Sequence, residues 1–439
     1  MSSGKPASTA LLPPWPLMTL FIAFIGIVFA IRAFVFPKDA LDIDFSSYWA
    51  AARTVWSDDV SPYGLEAPKL ARERWLPGLL EPVPPFIYTP AALLLFGPLQ
   101  WLEPLAASRL MVGLSILAAA VMALFLVRTL DLGSSRRVAW ACGLYALVFV
   151  PLYETIGLGQ VNLLLALLLL GTWHVYRNNR APVAGGLAAA LVVFLKLHLG
   201  ILLLPAFLRR RVSLLVASAV SLVAGIGLSA AVLPSNIWGE WIHHVVRASS
   251  IVRLPPGVPP IEVTRNLSIA GMTARVLAPR QYAPLVDVPP WMISTVPSLL
   301  CGLVLAWTAV VLWRSSRVAH TPERADAEIC LAIATAFEVS PLSWGHHLVF
   351  LLPVLLLLLR HGVLGQESSR TTRAVLALSL FLLLLHPFLL GPMTPAVAVT
   401  VATLRALAAL VVWGAASARV LRLAQPQATE VVSSVPTSA

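Results

Sequence analysis

The apolar residues of this chain come in uninterrupted runs near bilayer-spanning length, residues 212–233 and 292–313 among them, and these runs decide what it can fold into. Inside hydrocarbon no water is available to a bare peptide group, so a spanning segment must be a helix or part of a closed barrel. Barrel strands alternate apolar and polar positions, which these continuous Leu, Ala and Val runs do not. With 58% hydrophobic and 12% charged residues, the composition is far from globular usage. The mean hydropathy is +0.84. The sequence predicts an all-α, polytopic membrane protein rather than a single anchor.

The formal charge of +11 is not a nucleic-acid footprint, because many of the basic residues punctuate the apolar runs. Arg136-Arg137, Arg177, Arg180 and Arg209-Arg210-Arg211 read as cytoplasmic topology signals, and no nucleic-acid partner follows. Cys142, Cys301 and Cys330 lie in or beside apolar segments, with neither metal-ligand spacing nor a disulfide framework. The first apolar run, 17–35, lacks a small-residue cleavage site and reads as a retained signal-anchor. The expected organisation is a cytoplasmic tail at 1–16, one integral domain over 17–415 and a disordered cytoplasmic tail at 416–439. External segments fall near 36–88 and 234–290, and about eleven segments are embedded in the membrane.

Several apolar stretches are broken by polar residues. Residues 138–176 are interrupted around Glu154, Gly159, Gln160 and Asn162, which suits two helices meeting at an outer turn. In 183–208, Lys196 and His198 lie near the middle and three arginines follow the end. One crossing would put those arginines outside, whereas a hairpin of two short arms puts them inside and Lys196 at the outer tip. Charge asymmetry favours the hairpin. Residues 327–359 repeat the pattern around Glu338, Trp344, His346 and His347. The polar tips therefore gather on the outer face.

Each tip has a bland reading beside a chemical one. Asp42 and Asp44 can cap a helix or solvate an interface, or Asp44 can take a proton from a hydroxyl, with Asp42 as its orienter. Lys196 in an apolar run is costly unless it snorkels to water or meets an anion; with His198 it suits a phosphate. His346 and His347 are adjacent, so they point apart on a helix, and no further ligand completes a metal site; a phosphate or sugar contact suits them better. Glu338 can pair with Lys196 or orient the broken helices. Gln160 and Asn162 can bind sugar hydroxyls or join helices. Asn266 and Ser268 suit substrate binding or loop fixation, and the neighbouring Arg265 can strengthen a phosphate site.

Seven short motifs occur in order. They are Asp44-Phe-Ser-Ser-Tyr48-Trp, Ser61-Pro-Tyr63, Tyr88-Thr-Pro90, Gly159-Gln160-Val-Asn162, Leu195-Lys196-Leu-His198, Asn266-Leu-Ser268 and Ser340-Pro-Leu-Ser-Trp344-Gly-His346-His347. Together they resemble glycosyltransferase family 87, over residues from about 40 to 360. The resemblance implies a GT-C type membrane enzyme that transfers a sugar, commonly mannose, from a polyprenyl phosphate to a glycolipid or polysaccharide acceptor with inversion. It implies that Asp44 is the general base, and that Lys196, His198, Trp344, His346 and His347 surround the donor head. Tyr48 and Tyr88 would line the sugar path. Such a lipid-borne donor requires neither metal nor cofactor, and the expected location is the cell membrane with the site facing away from the cytoplasm. A transporter of lipid-linked sugars is the main alternative, but its polar groups would serve both faces rather than one.

Overall fold

The computed structural model describes residues 43–57, 60–76, 82–133, 135–277, 288–365, 368–385 and 393–425. The expected first span at 17–35, and Asp42, lie outside the described residues. Among the described residues the chain is helical, and its one β-like contact is an isolated bridge between Asn266 and Trp344.

The helices that position the site are α1 (Ile43–Ser57), α2 (Pro90–Phe96), α3 (Pro104–Thr129), α4 (Arg136–Leu147), α5 (Val150–Gly157), α6 (Asn162–Asn178) and α7 (Pro182–Leu195). They are followed by α8 (Val212–Val232), α9 (Ile269–Leu277), α10 (Pro290–Ser316), α11 (Pro322–Val339), α12 (Arg370–Leu384) and α13 (Pro395–Leu423). Prolines open many of them, at the first-turn position where a missing N–H costs nothing. Five helical segments are long and apolar enough to cross a membrane, or six if α4 and α5, bent by 41°, count as one. This is fewer than the eleven or so expected. The 182–208 segment falls short because its arms are too short to span roughly 30 Å of hydrocarbon, whereas the return arm of the second broken segment, Gly345–Val363, is itself one of the five.

The helix surfaces sort by solvent. Val216, Val220, Val223 and Leu228 on α8 and Leu299 and Leu303 on α10 are exposed, which suits a face toward lipid tails. Inside, small residues let helices close up: a Cβ on Gly186 of α7 would lie 2.5 Å from the Ala217 main chain of α8.

The segment 182–208 doubles back. At its start, Arg177, just before the turn into α7, donates to Asp326 Oδ1 at 2.9 Å. At its end, Arg209 grips Glu328 through two nitrogens, at 2.9 Å and 2.6 Å. Asp326 and Glu328 are neighbours on α11, so both ends of the segment meet one place and Lys196 lies at the far tip. The second broken segment leaves that same basic end along α11, turns at residues 340–344 and returns through a 3-10 stretch, Gly345–Leu351. There Arg360 reaches the Leu130 carbonyl and the Asp131 carboxylate at the end of α3. The basic connectors thus collect at one end of the bundle, and the tips of both hairpins lie away from it.

Candidate active site

Asp44 lies in the first turn of α1, where unsatisfied main-chain N–H groups favour a carboxylate. Gln160 Nε2 donates to Asp44 Oδ2 at 2.5 Å, and Gln160 Oε1 accepts from the Tyr48 hydroxyl at 2.8 Å. Tyr48, one turn after Asp44, lies 3.0 Å from the Tyr88 hydroxyl. Burial foremost pushes the Tyr88 phenol up from its ordinary value, so it stays an O–H donor. The amide of Gln160 is therefore held at its oxygen and points its N–H at one carboxylate oxygen. Among the described residues the other oxygen of Asp44 accepts no hydrogen bond.

This contact depends on Gly159. Its φ is +60°, and a Cβ there would lie 2.8 Å from Phe45 Cβ on α1. Only glycine lets the turn after α5 come this close to α1. Asn162 follows at the start of α6, fully buried, with neither amide atom hydrogen-bonded among the described residues.

Lys196 marks the break after α7. Its backbone is extended (φ −148°, ψ 98°), which leaves the last carbonyls of α7 without helical partners. Thr89, from the Tyr88-Thr-Pro90 motif, satisfies the one on Phe194 at 2.8 Å. Tyr63 ties the same motif down by donating to the Tyr88 carbonyl at 3.1 Å. The Lys196 ammonium lies 3.0 Å from His347 Nε2. His347 Nδ1 accepts from the Trp344 N–H at 3.2 Å and lies 3.2 Å from the Leu342 carbonyl; only the tautomer with its proton on Nδ1, bonded to Leu342 in place of Trp344, leaves Nε2 to accept from Lys196. The ammonium keeps two further N–H bonds for another acceptor. Asp44, 152 residues earlier in the chain, is the charge whose field reaches Lys196.

His346 stands beside this pair, its ring 4.5 Å from His347 and perpendicular to it. The ring makes no hydrogen bond among the described residues, while its main-chain carbonyl accepts from Thr155 of α5 at 3.1 Å. Asp44, Glu154, Lys196 and Arg265 all lie near enough for their charges to act on His346. Arg265 itself is exposed. Trp344 is half-buried, its indole N–H has no partner among the described residues, and its ring is 5.8 Å from that of His346. His198 lines a narrow crevice with Phe337, Ser343 and His347.

Asn266 is occupied by the fold. Its amide donates to the Ile261 and Pro341 carbonyls at 3.0 Å and 2.9 Å and accepts from the Ser268 and Ser343 N–H groups at 3.2 Å and 3.0 Å. The Ser268 hydroxyl accepts from the Gly271 N–H at 3.0 Å at the start of α9. These bonds pin the 340–344 turn, and with it the His346-His347 pair. Glu338 is buried, but no hydrogen bond joins it to Lys196, and its Oε1 has no partner among the described residues. The partner of Lys196 is His347 instead.

Sequence reasoning passed over Arg405. It is 1% exposed on α13, with Nε and Nη2 unpartnered. A lone arginine within the apolar run 396–413, away from any basic connector, was the available signal.

The sequence profile of glycosyltransferase family 87 matches residues 86–341. A polyprenol-phosphate-mannose-dependent alpha-(1-2)-phosphatidylinositol mannoside mannosyltransferase of Mycobacterium tuberculosis is 28% identical over 67% of this chain and 66% of its own length. The protein of the same description from Mycolicibacterium smegmatis is 27% identical over 62% of this chain and 61% of its own. A phosphatidylinositol pentamannoside mannosyltransferase from the same organism is 28% identical over 64% and 62%. The matched stretch thus spans somewhat under two thirds of the length of these relatives. No solved structure matches the chain. With more than half of its length under the family profile, the chain belongs to glycosyltransferase family 87.

Proposed function

We propose that this protein transfers mannose from a polyprenyl-phosphate mannose to a hydroxyl of a mannosylated phosphatidylinositol or similar glycolipid, with inversion at the anomeric carbon. The observation that carries this reading is a carboxylate and an ammonium from distant parts of the chain, near enough for the charge of Asp44 to act on Lys196. A carboxylate is held at one oxygen by Gln160, and an ammonium is held at one N–H by His347. The first suits a base for an acceptor hydroxyl, and the second suits the oxygens of a departing phosphate.

In the proposed step the acceptor oxygen forms its bond to the anomeric carbon as its proton passes to the free oxygen of Asp44. The bond from that carbon to the phosphate oxygen breaks on the opposite face, and polyprenyl phosphate leaves with the electron pair. Lys196 neutralises the charge that gathers there, while Trp344 and Asn162 offer to sugar hydroxyls polar atoms that have no partner among the described residues. The reaction needs no metal. An apolar cleft of about 370 Å³ between α9, α10 and α13, lined by Ile269, Met272, Val304, Trp307 and Trp413, suits the prenyl chain. It adjoins α9, whose start is bonded through Asn266 to the turn before His346.

The relatives named above act with polyprenol-phosphate-mannose on phosphatidylinositol mannosides, which supports this choice of donor and acceptor. Basic connectors at the end opposite the chamber support a site on the extracytoplasmic side. The test is purified protein given polyprenyl-phosphate mannose and a panel of mannosylated phosphatidylinositols. Mass spectrometry should find an acceptor heavier by one hexose; no product with any member of the panel would reject the reading.

A further inference from the structure

An ionised carboxylate accepts hydrogen bonds and donates none, so a group that bonds Asp44 must point an N–H or O–H at it. Gln160 does so with Nε2, which turns its Oε1 toward the Tyr48 hydroxyl, 2.8 Å away. The Tyr48 proton is thereby committed to Gln160. The Tyr88 hydroxyl, 3.0 Å from that of Tyr48, meets only lone pairs there and donates in turn. Three donors are aligned, Tyr88 to Tyr48 to Gln160 to Asp44, and every bond in the row runs toward Oδ2.

The row is part of the fold. Tyr48 is 2% exposed and Gln160 5%, and the Tyr48 ring stacks on Phe96 of α2 at 4.5 Å. Tyr88 is fastened through its carbonyl, which accepts from Tyr63, and its ring meets that of Phe86 at 5.4 Å. Hydrogen bonds in so enclosed a place polarise one another, and a member left without its partner is costly. The row also distinguishes the two carboxylate oxygens. With an N–H already directed at Oδ2, a proton placed there would set two hydrogens against each other. A proton reaching Asp44 is left Oδ1, which accepts no hydrogen bond among the described residues.

We propose that Gln160, Tyr48 and Tyr88 are positioning residues for the base: their row of hydrogen bonds fixes the plane of the Asp44 carboxylate and reserves Oδ1 for the acceptor's proton. The proposal rests on the reading of Asp44 as the base of a mannosyl transfer. None of the three touches the reacting atoms. Their effect reaches the reaction through Asp44, and that of Tyr48 passes through Gln160. This order separates the row from two rivals. A tyrosine that bound the sugar would act on KM, independently of Gln160. One that only packed would be matched by Phe.

The test is a double-mutant cycle on the purified full-length protein: wild type, Tyr48→Phe, Gln160→Leu and the double variant, with Tyr88→Phe alongside. Tyr48→Phe keeps the ring on Phe96 and deletes the donor. It should lower kcat for transfer from polyprenyl-phosphate mannose about tenfold, and Gln160→Leu about tenfold or more, with the KM of donor and acceptor within about twofold. Tyr88→Phe, one bond further off, should cost about threefold. In the Gln160→Leu background, Tyr48→Phe should change kcat by less than about twofold. An unchanged kcat in Tyr48→Phe, losses that multiply in the double variant, or a loss carried by KM would each overturn the proposal. If the wild type transfers no mannose, the transferase reading fails, and infrared spectra of protein carrying isotope-labelled aspartate still decide the row. Subtracting the Asp44→Asn spectrum isolates the Asp44 carboxylate band, which should shift in Gln160→Leu and in Tyr48→Phe alike. A band that stays in place in Tyr48→Phe would overturn the row, and this variant decides alone should Gln160→Leu not fold.

Discussion

Lys196 shows what one residue in an apolar run reveals and what it conceals. Its cost in hydrocarbon made it conspicuous in the sequence, as did Asp44 and the His346-His347 pair. Its partner was not legible, because the choice between Glu338 and His347 depends on how two hairpin tips meet. The structure pairs it with His347 at 3.0 Å and leaves Glu338 Oε1 without a partner among the described residues. Asn266 looked equally suited to substrate or to loop fixation, and its amide is spent on main chain. Arg405 was masked by the expectation that basic residues mark topology. For Lys196→Gln we expect the KM for polyprenyl-phosphate mannose to rise roughly ten- to hundredfold, as befits a lost charge-assisted hydrogen bond to phosphate. Steady-state kinetics with purified donor check this. An unchanged donor KM and kcat would remove Lys196 from the phosphate site.

Among the elements, the two broken hairpins were readable from charge asymmetry alone. Basic residues at both ends of 182–208 required an even number of passes, and Arg177 and Arg209 indeed converge on neighbouring acids of α11. What the sequence withheld was how the short turns lock together, since that rests on contacts between residues more than a hundred positions apart. The turn at Gly159 is an example: its positive φ and its closeness to Phe45 bring Gln160 to Asp44. In Gly159→Ala the left-handed backbone costs roughly 1–2 kcal/mol before the new methyl meets Phe45. The protein should keep its helical circular dichroism, melt lower and lose most of its transfer rate. Full activity at an unchanged melting temperature would show that the approach of the turn to α1 is not needed.

At the scale of the whole molecule, apolar patterning was enough for an all-helical membrane fold, but not for the number of crossings, because embedded arms shorter than the bilayer carry no length signal. The basic end was read as a topology marker, and it is also a clamp. Glu328, 1% exposed, is held by Arg209, Tyr176 and Ser315, and so fastens α6, the 182–208 hairpin, α10 and α11 together. Replacing it by Gln leaves the Arg209 charge buried without a counter-ion. A loss of about 3–5 kcal/mol is expected, read as a lowered unfolding midpoint in detergent, with KM little changed in the protein that remains folded. A midpoint equal to that of wild type would show the clamp to be dispensable. The proposed reaction turns on the carboxylate at the start of α1, and Asp44→Asn tests that proposal most directly. The amide preserves the side chain's shape but cannot take the acceptor's proton. Given polyprenyl-phosphate mannose and its acceptor, the purified variant should melt like wild type, bind both lipids and transfer mannose at least about a hundredfold more slowly. Turnover at the wild-type rate would contradict the assignment of Asp44 as the base.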